Sequence, residues 1–355
     1  MFSAALRRPG LSPGPTVWLP PASGPAFLKQ AAASPPIPGF LFRPLAAPET
    51  NAMLPKEPPR RPQLGFLYVP PLRIEGLSIA GEESCVHLPE FDIAFDIGLC
   101  PRAALSSNYV ALTHGHMDHA AAISYYFSQR SFQGMGTGIA ICPKPLAMPL
   151  HRLMEAWVDI EGQRTPYELI ALEPDEQHEI KNNHYLRAFE TVHTVPSLGY
   201  TLIEKRSKLK DEFAGLPQER LVELKKKGQE ITQTLMIPLV CYTGDTAWGP
   251  HFERDDVLNA KILITECTFM EAGHRKRAGI GKHLHLDHIL DLLERSTAEA
   301  VILTHLSRRT HIGLVRKALD QHVPPEHRHR VLVLMDNRTN RERYECQVAA
   351  AGGGD

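Results

Sequence analysis

No stretch of roughly 18 consecutive apolar residues occurs in the 355-residue chain, which leaves no candidate for a membrane-spanning helix. Cysteine is sparse. Cys85, Cys100, Cys142, Cys241, Cys267 and Cys346 form no CxxC pair, so neither a disulfide framework nor a thiolate zinc site is expected and a reducing compartment is the simplest reading. Excess charge is missing as well: with a formal net charge of -1, any nucleic-acid binding must come from a local basic patch. Short internal repeats of the solenoid kind are absent.

Acidic residues are missing before Glu49, in a stretch rich in Pro and Ala that carries Arg7, Arg8, Lys29 and Arg43. Residues 1–62 therefore read as a leader unable to bury a core. Such a leader suits an organelle transit peptide, a disordered tail, or an upstream start where Met53 is the true one. Its prolines weaken the amphipathic helix a transit peptide needs. A cytoplasmic location is favoured, with mitochondrion or plastid the expectation if residues 1–52 act as a transit peptide. At the other end, AAAGGGD suggests a flexible tail over 347–355.

What lies between, 63–346, has the texture of one folded domain. RIEGLSIAG, CVHLPEFDIAFDIG, NYVALT, GIAICP, HYLRAFETVH, LGYTLIEK, MIPLVCYTGD, AKILITEC and EAVILTHL are strand candidates bounded by Gly, Pro and Asn turns. Helices are expected over 120–129, 147–157, 217–228, 285–296 and 312–321. Strands in two blocks, each ending in helices, predict an α/β fold with two sheets packed face to face and helices outside.

The chemistry-bearing feature is LTHGHMDHAA, residues 112–121, which puts His114, His116, Asp118 and His119 directly behind an apolar strand. A His pair alone is often structural. Four ligand-type side chains at the buried end of a strand are harder to explain without a metal, because unpartnered polar groups are costly there. Further ligands should stand at other strand ends, and His193, Asp245 and His305 follow LRAFETV, LVCYTG and AVILT.

FDIG (95–98), THGHMDH (113–119), His193, TGD (243–245) and THLS (304–307), in this order, resemble the five motifs of the metallo-β-lactamase superfamily over roughly Arg73 to Val333. The resemblance implies an αβ/βα four-layer sandwich of two mixed β-sheets and a site for two Zn²⁺ per subunit. His114, His116 and His193 would hold one zinc, Asp118, His119 and His305 the other, and Asp245 would bridge. Asp96 would brace the ligand loop. Histidine at 116, where oxygen-reducing diiron members carry an acid, argues against redox chemistry. The bridging Asp, where secreted β-lactamases usually have Cys, argues against those enzymes.

The finer text is similar to the tRNase Z family, in its short, plant-like form: RIEGLSIAGEESC, FDIAFDIGLCPR, GYTLIEKRSKLKDEFAGL, ILITECTF, KHLHLDHI and LTHLSRR. That resemblance implies a zinc-dependent endoribonuclease that removes the 3′ trailer from precursor tRNA and leaves a tRNA 3′-hydroxyl and a trailer 5′-phosphate. Asp118 would orient the nucleophile, and His283 held by Glu266 would give the leaving oxygen its proton. Thr265 stands where many members have His, His283-Leu284-His285 replaces His-Ser-Thr, Thr310 replaces a Tyr, and the Pro-x-Lys-x-Arg-Asn loop is missing. Substrate detail is where these departures fall.

Residues 204–230 carry Lys205, Arg206, Lys208 and Lys210 at one end and Lys225, Lys226 and Lys227 at the other. Taken alone, ERLVELKKKG is also an ordinary solvated helix. The family places a tRNA-gripping arm here, and because one subunit's arm serves its partner's site, a homodimer is implied. HRHR at 327–330 reads as exposed surface. Two other readings stay open: a dizinc hydrolase of small-molecule thioesters or phosphodiesters, and a non-catalytic RNA-binding paralogue.

Overall fold

The computed structural model describes residues 16–18 and 64–352. The leader expected over 1–62 lies outside the described residues except for Thr16–Trp18, a short strand paired with Tyr167–Leu172.

Two mixed sheets form the centre of the fold. In the first, Tyr167–Leu172, Gly138–Pro143, Tyr109–Ala111 and Ile93–Phe95 run parallel, followed by Glu83–Leu88 and Leu72–Ala80 in antiparallel pairing. Gly65–Val69 and Leu306–Ser307 complete that edge. In the second, Val331–Val333, Ala300–Thr304, Ile262–Glu266 and Thr232–Tyr242 are parallel, and Leu198–Leu209, His184–Glu190 and Gln177–Lys181 continue as an antiparallel meander.

Near-continuous apolar strands follow from burial on both faces. Ile93, Phe95, Ile262, Ile264 and Ile302 turn into the core between the sheets, while Ala94, Leu263, Val301 and Leu303 join the outer clusters. One outer cluster packs the first sheet with Ile123, Tyr126, Phe127, Leu150 and Met154 from the helices Ile123–Phe132 and Lys144–Glu161. The other packs the second sheet with Leu286, Ile289, Leu292, Leu293 and Val315. Three apolar layers separated by two sheets are the four-layer sandwich that the resemblance implies.

The helix Leu286–Arg295 shows how local sequence places a layer. His285 caps it, accepting from the Asp287 N–H at 3.2 Å, and His288 reaches back to the His285 N–H at 3.2 Å. Leu286, Ile289, Leu292 and Leu293 fall at helical spacing on the buried face. Arg330 closes the far end by donating to the carbonyls of Ser296 at 2.9 Å, Ala298 at 3.0 Å and Leu293. The reading of HRHR as surface holds for the exposed Arg328 and His329 and is corrected at Arg330, which is buried because its fork satisfies carbonyls at the end of a helix.

Other boundaries also move. The expected 347–355 tail is helical through Gly352, since Asn337–Gly352 packs on the first sheet. There Tyr344 meets Phe66 edge-on at 5.3 Å, and Gln347 donates to the Tyr68 carbonyl at 3.1 Å. CVHLPEFDIAFDIG is two strands, Glu83–Leu88 and Ile93–Phe95, split by a 3₁₀ turn at Pro89–Phe91. The helix expected over 120–129 is broken into Met117–Ala120 and Ile123–Phe132, and the one at 147–157 extends over Lys144–Glu161. The strands Gly65–Val69, Tyr167–Leu172, Gln177–Lys181 and Val331–Val333 had no counterpart among the expected ones.

The segment 204–230 forms a ribbon. Among the described residues Arg206–Leu209 pairs only with Thr232–Leu235 across the hairpin, while the neighbouring strand His184–Glu190 ends opposite Glu204. Between the two strands lies the helix Gln218–Lys226, none of whose residues is buried.

Candidate metal centre

Parallel strands deliver their C-terminal ends to one edge of a fold. Tyr109–Ala111 leads into His114, His116, Asp118 and His119; Thr232–Tyr242 into Asp245; Ala300–Thr304 into His305; and Ile262–Glu266 ends on Glu266 itself. His193 comes from the loop after His184–Glu190. Bonds between the sheets set these ends in register: Tyr200 donates to the Leu112 carbonyl at 2.7 Å, Tyr242 to Asp96 at 3.0 Å, and the His305 N–H to Ser78 Oγ at 2.9 Å.

All seven residues expected to hold metal come together. His114 Nε2 lies 3.0 Å and His193 Nε2 3.2 Å from His116 Nδ1. Nearby, His119 Nε2 and His305 Nε2 are 3.3 Å apart, and each is 3.3 Å from Asp245 Oδ2. Asp118 Oδ2 sits 3.4 Å from His305 Nε2 and 3.6 Å from His119 Nε2. Two triads, His114 with His116 and His193, and Asp118 with His119 and His305, each have ligand atoms within 4.8 Å of one another, and Asp245 lies between them.

The hydrogen-bond partners decide what these nitrogens present. Thr113 Oγ1 donates its one hydrogen to Asp96 at 2.9 Å, so it must accept from His114 Nδ1–H at 2.9 Å. His119 Nδ1–H donates to Asp96 at 2.8 Å. Thr268 donates to Glu266 at 2.6 Å and so accepts from His305 Nδ1–H at 3.1 Å. His193 Nδ1–H donates to the Lys282 carbonyl at 3.2 Å. With the imidazoles neutral, four Nε2 lone pairs therefore face one another and two carboxylates with no proton between them. Such a set needs a cation, and donors about 3.3 Å apart suit tetrahedral zinc with bonds of about 2.0–2.1 Å. The residues fit the metal that the fold implies.

Electrostatics state the same demand. Burial opposes ionisation of Asp245, yet His305 and His119 hold it well below the usual carboxylate range. Burial also opposes charge on Asp118, and the hydrogen bond from His305 with the charge of His119 outweighs it. Burial, followed by the neighbouring His119, pushes His114 down to about 2, so it stays neutral with its lone pair available. Burial disfavours a charged His119 too, but Asp245 and Asp96 raise it strongly, marking the place where positive charge is wanted.

Beside the cluster stands the pair expected to move a proton. His283 Nδ1 is 2.9 Å from Glu266 Oε1 and 3.9 Å from Asp245 Oδ2. Burial works against protonation of His283, and the Glu266 carboxylate reverses this by charge and hydrogen bond, raising it to about 9. Glu266 is fixed by the Thr246 N–H at 2.7 Å, the Leu284 N–H at 3.2 Å and Thr268.

Sequence reasoning missed Thr113, Thr268, Tyr242, Ser78 and Lys282, which orient the ligands without touching the centre. A Thr directly before His114 and another within ECTF were the available signals. Gly98 is explained by packing: a Cβ there would lie 1.9 Å from the Asp118 carbonyl oxygen.

The fold and this two-lobed donor cluster define a metal-dependent hydrolase, and residues 100–306 match the family described as beta-lactamase superfamily domain. The chain is 33% identical over 258 residues to tRNase Z TRZ1 of Arabidopsis thaliana, covering 71% of this chain and 91% of that one. It is likewise 33% identical over 249 residues to the chloroplastic tRNase Z TRZ2 of the same plant, covering 69% and 70%. In fold it is similar to the crystal structure of the human short-form tRNase Z, with a TM-score of 0.51 and 16% identity, covering 77% of this chain and 96% of that one. The chain belongs to the tRNase Z family and is a divalent-metal-dependent hydrolase of the endoribonuclease class.

Proposed function

We propose that the protein cleaves precursor tRNA at the 3′ side of its discriminator nucleotide, releasing the trailer with a 5′-phosphate and leaving a tRNA 3′-hydroxyl. The observation that carries this reading is the His283–Glu266 pair standing within reach of a cluster of inward-facing lone pairs. His114, His116 and His193 would hold one Zn²⁺, Asp118, His119 and His305 a second, and Asp245 both. When bound, the zinc pair supplies a lowered water pKa and neutralises charge on the phosphate. Asp118, held below the usual carboxylate range, orients the water and accepts its proton. His283 enters the reaction protonated and gives that proton to the leaving 3′ oxygen, while Glu266 keeps it charged and aimed.

The ribbon at 204–230 is the surface that would select tRNA. Arg206, Lys208 and Lys227 are engaged by Glu204, Asp211 and Glu223 in exposed ion pairs. Such solvent-screened pairs contribute little to stability and yield readily to phosphate. A homodimer in which each ribbon serves the partner's site, and a cytoplasmic location unless residues 1–52 direct the chain to an organelle, complete the proposal. Among the described residues no helix is long and apolar enough to cross a membrane.

The deciding experiment gives zinc-loaded protein a 3′-extended precursor tRNA, a thioester and a generic phosphodiester. Cleavage of the tRNA with the end groups above is expected. Thioester turnover with intact precursor tRNA would sink the reading in favour of a small-molecule hydrolase.

A further inference from the structure

Lys282 ends the helix Arg275–Gly281 in the left-handed region, with φ 54° and ψ 51°. A helix stop of this kind ordinarily uses glycine, because a side chain with positive φ is strained. Glycine is available one residue earlier, at 281, yet the strained position itself holds a lysine. Nothing in ending a helix calls for that side chain. Its ammonium instead reaches the loop that carries His193 and donates to the His193 carbonyl at 2.7 Å. The exchange runs both ways, since the Lys282 carbonyl accepts from His193 Nδ1–H at 3.2 Å.

These two bonds close a ring between the His193 loop and the turn that carries His283. One fixes the imidazole, so that the Nε2 lone pair faces His116 at 3.2 Å. The other fixes the backbone from which the imidazole hangs. Because His283 follows Lys282 directly, the same clasp sets the 5.3 Å spacing between the His193 and His283 rings. We infer that Lys282 is a positioning residue: its ammonium holds His193 to the metal and sets the distance from that ligand to His283. The inference rests on reading His193 as a metal ligand.

A competing role comes from the open groove that Lys282 lines together with His193, Thr194, Ser197 and Arg254, where its charge could meet an RNA phosphate. Arg254 is already paired with Asp175 and Asp256, at 2.8 and 2.9 Å. The Lys282 ammonium is likewise committed, to a neutral carbonyl of the ligand loop. A residue kept for phosphate would gain nothing from that bond.

The test compares Lys282→Met, which keeps the stem and removes the ammonium, Lys282→Arg, which can still donate, and His193→Ala. Each is loaded with Zn²⁺, and transfer of the metal to a chromophoric chelator is timed. Kinetics on 3′-extended precursor tRNA are measured in parallel. Lys282→Met should release zinc about tenfold faster, in the range seen when groups that orient a ligand are removed. Its kcat should fall with KM nearly unchanged, and Lys282→Arg should restore both. Should Lys282→Met fold poorly, Lys282→Gly, unstrained at this φ, gives the same reading. Zinc release at the parental rate in Lys282→Met, with only KM raised, would overturn the clasp and make Lys282 a phosphate contact. If His193→Ala also releases zinc at the parental rate, the ligand assignment itself fails, and the clasp with it.

Discussion

At the scale of single residues, the chemistry depends on which groups are left without a proton. Thr113 and Thr268 each spend their one hydrogen on a carboxylate and so commit His114 and His305 to presenting lone pairs inward. The same logic governs His283. In metal-free protein its imidazole should titrate near 9, measured by proton NMR, and Glu266→Gln should bring it down toward its ordinary 6.5. Because the folded-state value is raised, the stabilisation from this pair is fully present below about pH 6.5 and is lost as pH rises through about 9. Urea midpoints across that window should fall in the parent and stay flatter in Glu266→Gln. At Gly98 the constraint is space. With a Cβ 2.3 Å from the Asp118 carbonyl carbon, Gly98→Ala must push the Met117–Ala120 turn outward, and zinc content after dialysis should drop sharply.

At the scale of elements, strand ends and helix faces were legible because period and burial coincide. AVILT and ILITE are apolar up to their C-terminal ends, at Thr304 and at Thr265 and Glu266, and buried at every position, which is what a parallel strand covered on both faces requires. The amphipathic stretch around Leu286–Arg295 was legible for the same reason, and Leu292→Ala, which opens a cavity under that helix, should cost about 2–5 kcal/mol by denaturant unfolding. Short strands with mixed sequence, such as Gln177–Lys181, were not legible: their exposed faces carry no pattern, and only pairing to a neighbour makes them strands. Arg330 was misread because charge in a sequence says nothing about the carbonyls it will meet. The ribbon allows a prediction at this level. Removing 206–228 should abolish precursor-tRNA cleavage and spare a generic phosphodiester; equal loss of both would refute its role in gripping tRNA.

At the scale of the molecule, the two sheets bring together ligands 191 positions apart, from His114 to His305, and the metal should therefore report on the whole fold. Chelation should abolish cleavage and lower the melting temperature, since a ligand in thousandfold excess over its dissociation constant stabilises the folded state by about 4 kcal/mol. Zinc should restore both. His116→Ala should bind less metal and be inactive; full activity in that variant would remove His116 from the centre.

The sequence by itself determined the class of chemistry, because ligand-type residues at the ends of apolar strands have few other physical explanations. It also determined the layering, since strands apolar on both faces must be covered on both. Only the tertiary structure decided which protons point where, that one carboxylate, Glu266, serves both His283 and the Thr268 that holds His305, and that Lys282 clasps His193. All of those contacts but the Thr268–Glu266 bond join residues 17 to 89 positions apart, and hydrogen-bond direction exists only once both partners are in place.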